Sequence, residues 1–92
     1  KLNKMGALRD GAEKITVSVR YCSGYTIAQM QKEWDWVKNM SSYGIQIFLL
    51  EAMRMGYVKE KLGKEDPDQF TYHITPKGRN AVDREKLHVL HD

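Results

Sequence analysis

The sequence predicts a mainly α domain carrying one small β-hairpin, an α+β fold with a three-helix core followed by the hairpin and a C-terminal helix. Three observations predict it. Apolar residues recur at helical spacing up to Gly56. Beyond Gly56 the period changes to alternation on either side of a stretch rich in Gly, Asp and Pro. Thr75-Pro76-Lys77-Gly78 then has the form of a new helix start, with proline at the first helical position, where its missing N–H costs nothing.

The first helix rests on Leu8, Ala12, Ile15, Val19 and Cys22, spaced by three and four between Ala7 and Cys22. Ile15-Thr16-Val17-Ser18-Val19 also alternates and is β-branched, so a strand competes there. The helix is preferred because its spacing is sustained over about four turns. Ser23-Gly24-Tyr25 breaks the pattern, and a short third strand near Tyr25 is expected to pair with the hairpin. Thr26 can cap a second helix with an inner face of Ile27, Met30, Trp34 and Val37. Trp36 and Met40 lie off that face, so either the helix bends around Asp35 or something else covers them.

Ser41 or Ser42 caps the third helix, which is expected to run to Met55 and stop at Gly56, a residue that tolerates the left-handed conformation of helix ends. Its inner stripe is Ile45, Phe48, Leu49 and Ala52, while Ile47, Leu50 and Met53 leave the rest of the helix little polar surface. In the hairpin, Val58 and Leu62 oppose Lys59 and Lys61, and Phe70, Tyr72 and Ile74 oppose Gln69, Thr71 and His73. The last helix carries Ala81, Val82, Val89 and the more scattered Leu87 and Leu90. Its early part should dock on the core, and its end should fray or find a partner.

At 92 residues and 41% hydrophobic the chain can bury one small core, so a single domain over residues 1–92 is expected, without room for a fully enclosed cleft. No nucleophile–base pair, glycine-rich phosphate loop or metal-ligand cluster is recognisable, so the chain is not read as an enzyme and no cofactor is expected. His73 stands apart, and His88 and His91, three apart, lack a third ligand nearby. A lone Cys22 suits a reduced, intracellular setting. No apolar run is long enough to span a bilayer, and the location expected is cytoplasmic. The chain opens on Lys1 rather than Met, as a processed, trimmed or tagged chain does; residues 1–5 are expected to be disordered or extraneous, and flanking domains stay an open alternative.

The net charge of +3 is unevenly placed: residues 1–24 carry +3, residues 25–56 carry 0, residues 57–75 carry −1 and residues 76–92 carry +1. A basic stripe through the third helix and hairpin, the usual footprint of a strong DNA binder, is therefore missing.

Ser41, Ile45, Leu49 and Gly56-Tyr57-Val58, followed by Thr75-Pro76-Lys77-Gly78, resemble the winged helix-turn-helix transcriptional regulators of the MarR and PadR type. The resemblance covers residues 25–82. It implies a recognition helix over residues 42–55 and a wing over residues 57–75. One departure is that Ile27 to Ile45 spans eighteen positions, roughly one helical turn more than the family pattern. The extra turn either lengthens the second helix or retilts the helix pair.

The resemblance implies a sequence-specific regulator whose partner is double-stranded DNA, with a homodimer as the expected working unit. The major groove admits an α-helix, and side chains near its N-terminus read base edges. Tyr43 and Gln46 are then the base-contact candidates, and Ser41, Ser42 and Thr26 the phosphate candidates. Lys59, Lys61 and Lys64 would let the wing follow the flanking backbone or groove. Each has a plainer reading: Ser41 and Ser42 as helix caps, Tyr43 and Gln46 as ordinary surface, the lysines as solvated charges. Trp34 reads as core, and Trp36 as core or partner surface. Leu87, Leu90 and the first helix are candidate dimer surfaces. The rival function is a winged-helix module of a larger assembly, docking on a protein partner through the apolar third helix and Trp36.

Overall fold

Ala12, Ile15 and Val19 are fully buried along one side of an 18-residue helix, α1 (Lys4–Tyr21), so helical spacing prevails over the β-branched run within it. Thr16, inside that run, is also buried, and its hydroxyl donates to the Ala12 carbonyl at 2.7 Å, which satisfies that buried hydroxyl within the helix. The computed structural model describes residues 4–63 and 69–91. Of the five N-terminal residues expected to be disordered, Lys4 and Met5 already belong to α1, and residues 1–3 lie outside the described residues.

Five further elements follow: α2 (Ile27–Glu33), α3 (Ser42–Arg54), β1 (Val58–Leu62), β2 (Phe70–Ile74) and α4 (Pro76–Asp83). The molecule is thus mainly helical with a two-stranded antiparallel hairpin. Thr26 starts α2 with a reciprocal cap: its hydroxyl accepts from the Gln29 N–H, and the Gln29 side chain accepts from the Thr26 N–H at 2.8 Å. The second helix does not run through Val37. It stops at Glu33, Trp34 is extended and Asp35–Val37 form a 3₁₀ turn, the break around Asp35 that the sequence offered as one alternative. Met30, Trp34 and Val37 still reach the core as the spacing predicts, because the break redirects the chain without releasing either of the last two side chains.

Ser41 caps α3, its hydroxyl accepting from the Gly44 N–H at 3.0 Å, and Ile45, Leu49 and Ala52 are fully buried. At the far end Gly56 adopts φ +84°, the Gly56 N–H donates to the Met53 carbonyl, and the Tyr57 N–H donates to that of Ala52. This pair of bonds is the Schellman arrangement, which closes a helix through one left-handed residue. Val58 then pairs with Ile74, Glu60 with Tyr72 and Leu62 with Phe70. The expected third strand is a single bridge, Tyr25 against Tyr72. The hairpin's inner face is buried at its base, through Val58, Tyr72 and Ile74, and open at its tip, where Leu62 and Phe70 are exposed.

The last helix is shorter than its apolar residues suggested. It ends at Asp83; Glu85 takes φ +53°, Leu87 is extended, and His88–Leu90 form a second 3₁₀ turn. Leu87 is buried beside Ala81 and Val82, with Leu90 packed at the edge of that cluster, so Leu87 is not a free dimer surface. The turn is fastened by Glu13, a buried acid on α1 that accepts from the Val89 N–H at 3.2 Å. Among the described residues no helix is long and apolar enough to cross a membrane.

Two glycines carry different constraints, and their substitution should separate them. Gly56→Ala meets left-handed strain with only the flexible Lys77 side chain nearby, so a loss of about 1–2 kcal/mol is expected. At Gly78 an added Cβ would lie 2.2 Å from the Tyr57 carbonyl oxygen, a backbone atom that cannot rotate away; Gly78→Ala should cost about 3 kcal/mol, the upper end of overpacking. Urea denaturation of the two variants measures both, and a Gly78→Ala chain as stable as wild type refutes the close approach.

Candidate functional site

Three elements meet at one open groove of about 480 Å3: the start of α2, with Thr26 and Gln31; the start of α3, with Ser42 and Gln46; and β2, with Gln69 and Phe70. Their meeting follows from local chemistry. The Thr26 cap and the Ser41 cap fix where the two helices begin. Gln31 donates to the Met40 carbonyl at 3.1 Å and ties α2 to the turn before α3. The Tyr25–Tyr72 bridge brings the hairpin alongside.

The structure brings Thr26, Ser42 and Gln46 together and leaves Ser41, Tyr43, Lys59 and Lys61 off the groove. Ser41 is exposed and its oxygen is engaged by the cap. Ser42 and Gln46 are exposed, and their side chains make no hydrogen bond among the described residues. Tyr43, 71% exposed, lies outside the groove on the solvent side of α3. Lys59 and Lys61 pair with His73 and Thr71 and project from the hairpin face opposite Phe70 and Tyr72. Lys64 lies outside the described residues. Gln31, Gln69 and Phe70 were not singled out from the sequence, although alternation already put Phe70 on the inner face. What alternation does not reveal is that the core ends below Phe70, leaving its ring to line an open groove.

The groove mixes polar and apolar walls, and none of its lining residues among the described ones is charged. The nearest arginine on α3 does not change this, because Arg54 is engaged by both Glu51 oxygens, at 2.7 and 2.6 Å, which holds the Glu51 carboxyl below its ordinary range. The free N–H groups at the start of α3 supply a weak positive end there. Beside the groove, Tyr25 stacks on Trp34 with centroids 5.6 Å apart and donates to Glu33. That hydrogen bond, then burial and the neighbouring Cys22, push the phenol up to about 12.

Trp36 is neither core nor a free surface. Its indole N–H donates to the Ser18 hydroxyl at 3.0 Å and its ring stacks on Phe48, with 36% of the residue exposed. Phe48 in turn covers Gly11 of α1, so Trp36 closes the outer side of the α1–α3 contact.

On the opposite face of the hairpin, His73 is held below its ordinary value of 6.5, by burial first and then by Lys61 and Lys59. The folded state therefore takes up this proton less readily than the unfolded chain. Stability from this group is full above the ordinary histidine range and falls as pH drops through it. Because the ring is only half-buried the slope should be shallow. His73→Gln should flatten the melting-temperature profile between about pH 7 and about pH 5, and an unchanged profile would refute the assignment.

Comparisons with protein-family models, with curated proteins and with solved structures return no match.

Proposed function

We propose that the chain is a winged helix-turn-helix DNA-binding regulator without catalytic activity, in which α2 and α3 form the helix-turn-helix and β1 and β2 the wing. The observation that carries this reading is the presentation of Ser42 and Gln46, whose side chains make no hydrogen bond among the described residues, at the start of α3 on a groove shared with the start of α2 and the hairpin. A helix seated in the major groove reads bases from its N-terminal turn. Gln46 has the paired donor and acceptor that match adenine, with Tyr43 beside it as a second base contact. Ser41, Ser42 and Thr26, at the two helix starts, suit phosphate oxygens.

Lys59 and Lys61 leave the hairpin on its other face, which fits them to follow a phosphate strand rather than base edges. With so few cations available, one copy would hold DNA weakly, and two copies on two half-sites are the expected working unit. Such a regulator works in the cytoplasm, where duplex DNA is its partner. Titration on random and selected duplexes at two salt concentrations tests the reading. Gln46→Ala should lose about 1–3 kcal/mol at the selected site and relax preference at one base pair. Lys61→Ala should weaken specific and nonspecific binding together and flatten the salt dependence.

One observation favours a different partner. Leu50 is 53% exposed and continues Tyr43 and Ile47 along the solvent side of α3, so the helix also suits docking on a protein. Leu50→Asp should then abolish association while the fold survives. Failure to retain duplex DNA at low salt, combined with Leu50-sensitive association, overturns the regulator reading.

A further inference from the structure

Three of the chain's five arginines are held by carboxylates: Arg9 beside Glu13 at 3.7 Å, Arg20 on Asp83 at 3.0 Å and Arg54 on Glu51 at 2.6 Å. Arg79 and Arg84 are exposed and have no carboxylate at ion-pair distance among the described residues. Both line the same notch, about 460 Å3 in volume, between the end of β2 and α4. Asn80 adds an amide to its wall, and Pro76 and Ile74 supply its apolar part. The one acid there, Asp83, is already engaged through both oxygens by Arg20, and that bond holds its carboxyl below the ordinary range. Arg79 also lies close enough to help hold Asp83 down, so Arg20, Arg79 and Arg84 together face this one carboxylate and the notch keeps a net positive charge. Its rim is fixed by the fold: the chain leaves α4 at Arg84 and turns back through Glu85 at φ +53°, with the Lys86 N–H donating to the Ala81 carbonyl.

We propose that this notch binds a small phosphate-bearing anion, either inorganic phosphate or a phosphate monoester. Two planar guanidinium forks offer paired N–H donors that match the oxygens of a phosphate, and their combined charge matches its dianion. An amide at the same wall can donate to a remaining oxygen or to the body of an ester. A carboxylate presents fewer oxygens and half the charge, so it uses the pair less fully. The site is independent of the groove between α2, α3 and the hairpin, and shares no residue with it.

The test is an NMR titration of the isotope-labelled chain, following backbone amides and arginine Nε–H signals. The probes are inorganic phosphate, ribose 5-phosphate and, at matched ionic strength, sodium chloride. Saturable shifts centred on Arg79, Asn80 and Arg84 are expected with phosphate or the monoester, weakened roughly tenfold or more in Arg79→Gln and in Arg84→Gln. Tighter binding of ribose 5-phosphate identifies an ester as the preferred ligand, and equal binding identifies the phosphate group alone as sufficient. Both glutamines replace exposed side chains, and matching amide spectra without ligand establish that each variant is folded. Shifts that rise without saturating, or that chloride reproduces, overturn the proposal, as does saturation that survives both substitutions. A short duplex DNA whose binding needs both arginines, with no saturation by either small probe, also overturns it and assigns the pair to nucleic acid.

Discussion

One junction holds the elements in their relative places: the meeting of Gly56-Tyr57 with Thr75 and Gly78. The Thr75 hydroxyl donates to the Gly56 carbonyl at 2.6 Å and accepts from the Gly78 N–H, while the Thr75 N–H donates to the Tyr57 carbonyl. A single threonine thus closes the end of α3, the base of the hairpin and the start of α4. Gly78 is required because the helix backbone rests directly on Tyr57. The geometry is cooperative in a simple sense. The left-handed turn at Gly56 aims β1, the register of β1 with β2 returns the chain to Thr75, and Thr75 then caps the next helix against the turn it started from.

That junction was legible in the sequence because its parts are local. A glycine after an amphipathic run, alternation on both sides of a turn-rich stretch, and Thr-Pro before a helix each have a short-range cause. The caps at Thr26 and Ser41 were readable for the same reason. The parts that were misread depend on long-range packing. The stop of α2 at Glu33 serves Trp34 and Val37 together, and no cap or glycine marks it. The early end of α4 depends on Leu87 reaching the cluster under Val17 and Tyr57, and on an α1 acid accepting from Val89. Thr26, Ser42 and Gln46 were each readable as candidates at helix starts, but the sequence grouped Gln46 with Tyr43 and the other two with Ser41, and their sharing of one groove comes from packing. The separation of Lys59 and Lys61 from it was implicit in alternation, but which hairpin face turns toward α3 is settled only by packing.

Among the described residues, charge lies away from the groove. Acids on α1, α3 and α4 each engage an arginine, and among the described residues none of either sign lines the groove between α2, α3 and the hairpin. Affinity for a polyanion comes mainly from phosphate contacts, whereas discrimination comes from hydrogen-bonding side chains. A neutral groove edged by Ser42 and Gln46 is accordingly better suited to discriminating than to holding. The cations that would hold lie elsewhere, on the outer face of the hairpin and around α4.

The two functional readings compete for the same surface. Leu50 follows Gln46 by four positions, one helical turn, so both lie on the exposed side of α3. A helix sunk in a DNA groove leaves no room for a protein partner over Leu50, and a partner packed on Leu50 would reach over Gln46. Exposure of Leu50 is compatible with a groove-reading helix, because apolar side chains can contact thymine methyl groups. Exposure alone therefore does not choose between the readings. On the regulator proposed above, Gln46 carries the expectation: burying its amide across a mostly apolar protein interface costs free energy unless the partner supplies a matching donor and acceptor, and an adenine edge would supply both.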